Sequence, residues 1–301
     1  MKKGIVGILH NTPRLDLTHP AGWTYIIRDI LFKGADILTE RDDWTTYDQL
    51  LICHSLNYKE GDYNIIGGID KRHYKRIDMI YHFEGDLFSV DDFDIKDYIE
   101  KRDLYYSFDK EWIYEKLTLP KKDKIVLGDS HSLSVWPNDQ YEIKRLDGKT
   151  LHGYLKDPLD LSRYKDVILY FGNIDIRFHL CRQPNPLRSA VELFERYIDY
   201  AKKYNATITH LLPIENENRK IPKSGQYKGQ NFFGIREQRQ TLVDIVNDLM
   251  DKSGLNVITW PKEWYDNIDY YQKEVMERTQ SVHLKPRYYK KNIKSEQVSL
   301  F

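Results

Sequence analysis

KIVLGDSHS, Lys124 to Ser132, decides how the chain is read. Four residues, Lys124 to Leu127, have the composition of a short buried strand, and the apolar pattern stops at Gly128-Asp129-Ser130-His131. Glycine admits a tight turn that a side chain would resist. A strand ending in Gly-Asp-Ser therefore puts a hydroxyl at the C-terminal edge of a sheet, where open α/β sheets bind ligands. The same tripeptide also occurs in ordinary turns, and Ser130 could be no more than a helix N-cap. The rest of the chain weighs between these readings.

Downstream of Lys124 the pattern alternates. DVILYF (166–171), ATITHLLP (206–213) and LNVITW (255–260) read as strands. Two helical stretches lie between them. LRSAVELFERYIDYAKKY after Pro186 has Val191, Phe194, Ile198 and Ala201 on one face, and IREQRQTLVDIVNDLMDKSG has Leu242, Ile245, Val246 and Leu249 on one face. Alternating strand and helix predict an α/β fold with a parallel sheet covered on both faces. Upstream, KGIVGIL (3–9) and DQLLICHSLNY (48–58) read as strands, as do YNIIGGID and IDMIYHFEGD. A helix is predicted over Trp23 to Lys33 and another around Trp112 to Leu117, with an acidic, solvated segment from Ser89 to Asp103. The break at Leu119-Pro120-Lys121-Lys122-Asp123 separates a smaller N-terminal α/β domain, residues 1–120, from a second domain, residues 121–301.

Composition narrows the function classes. Of 301 residues, 41% are hydrophobic and 31% charged, a globular balance rather than a disordered one. Lys plus Arg and Asp plus Glu number 46 each, so no overall field calls for nucleic acid or a membrane surface. The opening MKKGIVGIL has an apolar run too short for a secretory h-region, and no stretch approaches a membrane span. With two cysteines, Cys53 and Cys181, at no metal-binding spacing, the expectation is a cytoplasmic protein with reduced thiols. His10, His19, His54 and His82 have no third ligand at a recognised spacing, so no metal is expected. His210 reads as a satisfied core histidine, and His131 as a positioning or exposed residue rather than a second base.

Three segments bring polar groups to the C-terminal edge of the second sheet: Asp129-Ser130-His131, then FGNIDIRFH with Gly172, Asn173, Asp175, Arg177 and His179, and SVHLKPRYY with His283. A serine needs a base to become a nucleophile, usually histidine, and charge developing on a carbonyl oxygen needs donors aimed at it. In these features the region from about Lys124 to Tyr289 resembles the SGNH/GDSL hydrolase family.

That resemblance implies a three-layer α/β/α sandwich in which Ser130 is the nucleophile and His283 the base. The oxyanion would be held by the N–H of Ser130, the N–H of Gly153 (with Gly148 as the alternative) and the side chain of Asn173. Gly172, Ile174, Asp175, Arg177 and His179 match a Gly-Glu-Ile-Asp-x-Arg-x-His variant found in polysaccharide-associated members, with Asn173 in place of Glu. Asp129, Asp175, Arg177 and His179 would then belong to the binding surface, with His179 reaching Asp129 or the substrate. The chain departs from the family at Gln280, which stands three residues before His283 where the family has Asp. A Gln amide oxygen can fix the imidazole tautomer but does not stabilise an imidazolium, and Glu277 or Asp175 could supply the missing charge. The implied activity is ester hydrolysis or acyl transfer through a Ser-His dyad, without metal or organic cofactor, on an acylated carbohydrate or sugar nucleotide.

Two rival readings stay open. One is a non-catalytic glycan- or nucleotide-binding module on the same fold. The other is a nucleic-acid-binding or nucleic-acid-modifying protein, argued from the loop 213–233, with Arg219, Lys220, Lys223 and Lys228 among Tyr227, Phe232 and Phe233, and from the tail with Lys285, Arg287, Lys290, Lys291 and Lys294.

Overall fold

The computed structural model describes residues 1–8, 28, 32–38, 42–55, 76–82, 122–138, 140–146, 148–215, 229, 233–277 and 282–290. The chain divides into two compact units, Met1–Pro120 and Lys121–Phe301.

The first unit carries four parallel strands: β1 (Lys3–Ile8), β2 (Asp36–Ile37), β3 (Gln49–Ser55) and β4 (Arg76–His82), in the order β2-β1-β3-β4. Consecutive residues of a strand point to opposite faces. Leu50 and Leu51 are both buried, so both faces of β3 are covered. The register sets Ser55 beside His82 at the C-terminal edge. Of the helix predicted over Trp23 to Lys33, Arg28 is helical and its carbonyl accepts from Phe32 N–H at 2.9 Å. Ile26, Ile27, Ile30, Leu31, YNIIGGID, Glu84, the acidic segment and the helix around Trp112 lie outside the described residues.

The second unit is built on five parallel strands: β5 (Lys124–Gly128), β6 (Glu142–Arg145), β7 (Asp166–Tyr170), β8 (Thr207–Thr209) and β9 (Val257–Ile258). Their order is β6-β5-β7-β8-β9. β5 and β7 are buried continuously from their second residue on, as strands in the middle of a covered parallel sheet must be. The result is an α/β sandwich with helices flanking the sheet. The chain leaves β5 toward one neighbour, β6, and returns on the other side as β7. This reversal makes the C-terminal ends of β5 and β7 the topological switch point, where open α/β sheets bind ligands.

The structure corrects some sequence-based boundaries. β6 and the short helix α1 (Leu151–Tyr154) fall in a stretch that reads as irregular. α2 (Asn173–Phe178) follows β7 directly. α3 (Pro186–Lys203) starts where predicted, with Pro186 in its first turn and the Asn185 side chain accepting from Arg188 N–H at 3.0 Å. Its buried line is Ala190, Phe194, Tyr197, Ile198 and Ala201, which leaves Val191 at the edge. In α4 (Arg236–Asp251) the buried face runs through Leu242, Val243, Val246 and Met250, with Ile245 and Leu249 at its margins. β8 is shorter than ATITHLLP because side chains of α4 take over its backbone partners. Asn247 accepts from Leu211 N–H (2.8 Å), and Gln240 accepts from Ile214 N–H (2.8 Å).

Gly172 joins β7 to α2 at φ +109°, and a Cβ there would lie 2.5 Å from the Phe194 ring. Gly172→Ala should therefore cost on the order of 2–4 kcal/mol through backbone strain plus overpacking. Gly254→Ala, at φ +79° with open space around it, should cost only about 1–2 kcal/mol. Urea midpoints of the two variants check this; equal losses would remove Phe194 from the explanation.

Candidate active site

The serine turn is shaped by its backbone. A Cβ at Gly128 would come within 2.2 Å of the Tyr170 carbonyl oxygen, so only glycine lets β5 approach β7 this closely. Asp129 N–H then donates to that same carbonyl at 3.0 Å. Asp129 Oδ1 turns back to accept the backbone N–H of His131 at 2.9 Å, and the Asp129 carbonyl accepts from Ser132 N–H at 3.0 Å. The turn leads into a 3₁₀ segment, Ser132–Val135, and leaves Ser130 half-buried. Ser130 Oγ lies 2.9 Å from His283 Nε2, across 153 positions of chain.

His283 is positioned by a local antiparallel contact. Met276 bridges Leu284, Glu277 N–H donates to the His283 carbonyl at 2.7 Å, and Lys285 N–H donates to the Val275 carbonyl at 2.9 Å. This pairing brings Glu277 Oε2 to 4.0 Å from His283 Nδ1, close enough for charge interaction though not for a hydrogen bond. Gln280 lies outside the described residues. Of the two carboxylates open to the role, Glu277 faces the base. Asp175 does not, because its oxygens accept the N–H groups of Leu151 (2.6 Å) and His152 (3.1 Å) at the start of α1.

Several residues sit differently from expectation. Gly153 N–H is taken by Thr150 Oγ1 at 2.9 Å as the N-cap of α1, so it is not turned toward an oxyanion. Gly148 occupies a left-handed turn at φ +72°. Asn173 follows β7 at the strand end next to that of Ser130, but its side chain is buried and its Nδ2 has no hydrogen-bond partner. Arg177 is no surface ligand. It is 2% exposed, its Nε donates to both Glu215 oxygens (3.0 and 2.8 Å) and its Nη1 to the Asn173 carbonyl (3.0 Å). Burying its charge needs such a partner. Asp129 is likewise internal, fully buried, with Oδ2 unpartnered. Its histidine partner is His131, not His179: His131 Nδ1 lies 2.8 Å from Asp129 Oδ1. His210 pairs with Asp251 at 2.8 Å.

His179 opens instead on a cavity of about 490 Å³, which Asp175, His152, Ser189, Glu192 and Arg196 also line. The last three repeat along one face of α3. Burial pushes the imidazoles of His152 and His179 below their ordinary value, with nearby Lys156 and Arg182 respectively adding to it. The cavity thus offers neutral imidazoles beside a cation, an anion and hydroxyl or amide groups, with Leu180 and Leu193 as apolar wall. Nothing in the sequence singles out His152 or Glu215. Neither belongs to a motif, and each is defined by a partner distant in the chain.

The basic tail is engaged locally where it is described. Arg287 pairs with Glu274 (3.6 Å) and lies over Tyr288, and Lys290 lies over Trp260 with its ammonium held below the usual value by burial. Phe233 carries the Arg182 guanidinium 4.1 Å from its ring. Arg219, Lys220, Lys223, Tyr227, Lys228, Phe232, Lys291 and Lys294 lie outside the described residues, as does the side chain of Cys53. Among the described residues, no helix is long and apolar enough to cross a membrane, and no group of three or more His, Cys, Asp or Glu could hold a metal ion.

No family model matches the chain. No curated protein matches it either. A solved structure described as "BT4096 a gut microbial diltiazem-metabolizing enzyme" is similar at 15% identity and a TM-score of 0.36, over 55% of this chain and 44% of that one. This chain therefore spans less than half of that protein's length. A likeness at this level fixes no chemistry, and the contact between Ser130 and His283 has to carry the reading.

Burial pushes the Asp175 carboxyl up to about 7, against the opposing pull of the His152 and Leu151 N–H groups. Its unfolded value is about 4, so between about pH 4 and pH 7 the folded chain holds the extra proton. Stability from this group is complete below that window and is lost as pH rises through it. Asp175→Asn should flatten this fall, whatever uniform cost the amide adds by facing an N–H. Urea midpoints of both proteins from pH 4.5 to 8 test it; parallel curves would refute the shifted carboxyl.

Proposed function

We propose that the second unit is a serine hydrolase or acyltransferase of the SGNH/GDSL type, acting on an ester of a carbohydrate or sugar-nucleotide-like substrate. The observation that carries this reading is the 2.9 Å contact of Ser130 Oγ with His283 Nε2 at the switch point of a parallel sheet.

In this mechanism His283 Nε2 takes the Ser130 proton as Oγ attacks the ester carbonyl. The tetrahedral oxyanion is met by the Ser130 N–H and by Asn173 Nδ2. The latter is buried near the Tyr170 hydroxyl, so this role requires a substrate oxygen to displace that neighbour. The imidazolium returns its proton to the departing alkoxide. Water, or a second hydroxyl, then resolves the acyl-enzyme with His283 again as base. Glu277, 4.0 Å from Nδ1, supplies negative charge on the side of the base remote from the serine. The cavity beside His152 and His179 presents mixed donors and acceptors with a small apolar wall, which suits a polyhydroxylated group, though Ser130 and His283 are not among the residues that line it.

Hydrolysis of p-nitrophenyl acetate by the wild type and by Ser130→Ala, from pH 6 to 9, tests the reading. The variant should lose on the order of 10³-fold or more in kcat/KM, and a fluorophosphonate should label the wild type only, at Ser130. Equal rates together with an unlabelled Ser130 would replace the enzyme by a non-catalytic glycan-binding module.

A further inference from the structure

His131 follows the serine immediately, yet it points inward. It is 4% exposed, and both of its ring nitrogens meet acceptors. Nδ1 lies 2.8 Å from Asp129 Oδ1, and Nε2 lies 3.1 Å from the carbonyl oxygen of Val282, the residue before His283. A carbonyl oxygen only accepts. Nε2 must therefore carry a proton for the second contact to be attractive. Nδ1 then either carries a proton too or accepts one from Asp129. Asp129 Oδ1 already accepts the His131 backbone N–H at 2.9 Å, a bond that favours the carboxylate and so the shared proton on nitrogen. Neither neutral tautomer beside a carboxylate satisfies both ends, because each sets one lone pair against another. The fully buried Asp129 carboxylate supplies the counter-charge that a buried imidazolium requires.

We propose that His131 is a positioning residue for the Ser130–His283 pair, held as an imidazolium between the Asp129 carboxylate and the Val282 carbonyl. It ties the turn that presents the serine to the segment that presents the base. The catalytic half of this inference rests on the reading of Ser130 and His283 as nucleophile and base; the bridge itself does not. The rings of His131 and His283 are 4.9 Å apart, so the bridge also sets the charge felt by the base. Among the described residues, the groups facing His131 are Asp129 on its own turn, Tyr170 from β7 (ring centroids 5.9 Å apart) and His283. Burial raises the Tyr170 hydroxyl well above its ordinary value, so it stays neutral. Glu277 faces His283 from the other side.

Two measurements on the full chain test this. In ¹⁵N-histidine-labelled protein at pH 7, one imidazole, identified by its loss in His131→Asn, should show both ring nitrogens protonated. A neutral tautomer there overturns the proposal. In kinetics, His131→Gln removes the cation and leaves the Asp129 carboxylate beside the base. That change favours the protonated form of the base, so the acid limb of the kcat/KM profile should move to higher pH. A drop on the order of 10- to 100-fold should accompany it, since small misplacements of a catalytic pair cost this much. An unmoved profile in an active variant overturns the positioning role while leaving the hydrolase reading intact. A wild type with no esterase activity and no phosphonate labelling overturns that reading and the catalytic half with it, while the nitrogen signals still decide the bridge. Should His131→Gln fail to fold, Asp129→Asn removes the counter-charge with little change of shape. It should return the His131 ring to a neutral tautomer, and an imidazolium persisting in that variant overturns the pairing.

Discussion

The second unit depends on how closely β5 and β7 approach at their C-terminal ends. The absence of a side chain at Gly128 lets the Tyr170 carbonyl accept from Asp129 N–H, and that bond fixes where the strand stops and the turn begins. Everything attached to the turn inherits its placement: the Ser130 hydroxyl, the buried Asp129 carboxylate and the His131 ring. Gly172 plays the matching part at the end of β7, where the Phe194 ring occupies the space a Cβ would need. The switch point is thus bounded by two residues chosen for what they lack.

Behind this edge lies an interior unusually rich in charge. Arg177 and Glu215 form a pair in which one guanidinium N–H is shared by both carboxylate oxygens and each side chain is only 3% exposed, and Asp175 caps α1. Such groups are poor sources of net stability, because desolvation offsets most of their attraction. Their contribution is to geometry: Arg177 also bonds the Asn173 carbonyl, and so locks the first turn of α2 against β8's continuation at Glu215. Residues with the look of ligands in the motif Gly-Asn-Ile-Asp-Ile-Arg-Phe-His turn out to be mostly supports, and only His179 and the edge of Asp175 meet the cavity.

The parts of this arrangement legible in the sequence are those with local signatures. Continuous apolar runs mark β5 and β7, Pro186 marks the start of α3, and Gly-Asp-Ser marks the turn. The pairing of Ser130 with His283 is implied by the resemblance to the SGNH/GDSL family, once both segments are placed at one sheet edge. The details that sit differently are each decided by one specific partner, local for Gly153 and distant for Arg177 and Asp175. Thr150 takes the Gly153 N–H, Glu215 draws Arg177 inward, and the α1 N–H groups claim Asp175. β6 was missed because Glu142, Lys144 and Arg145 suit an edge strand without alternating as an amphipathic one would. The pairing of Val275–Glu277 with His283–Lys285 has no sequence signature, because it comes from a bridge between two short segments rather than from a repeating pattern.

The 153-residue separation between Ser130 and His283 has a consequence for how the site comes into being. The base and Glu277 meet across a short reversal of chain, a contact with little loop-closure entropy. The serine turn needs β5 registered against β7. Joining the two halves closes almost the whole second unit, with the His131–Val282 contact made at the same moment. Chain-folding intermediates that hold the sheet but not its last segment would carry an unactivated serine. Reactivity of the hydroxyl is then a late reporter of assembly, emerging only when this long-range contact has formed.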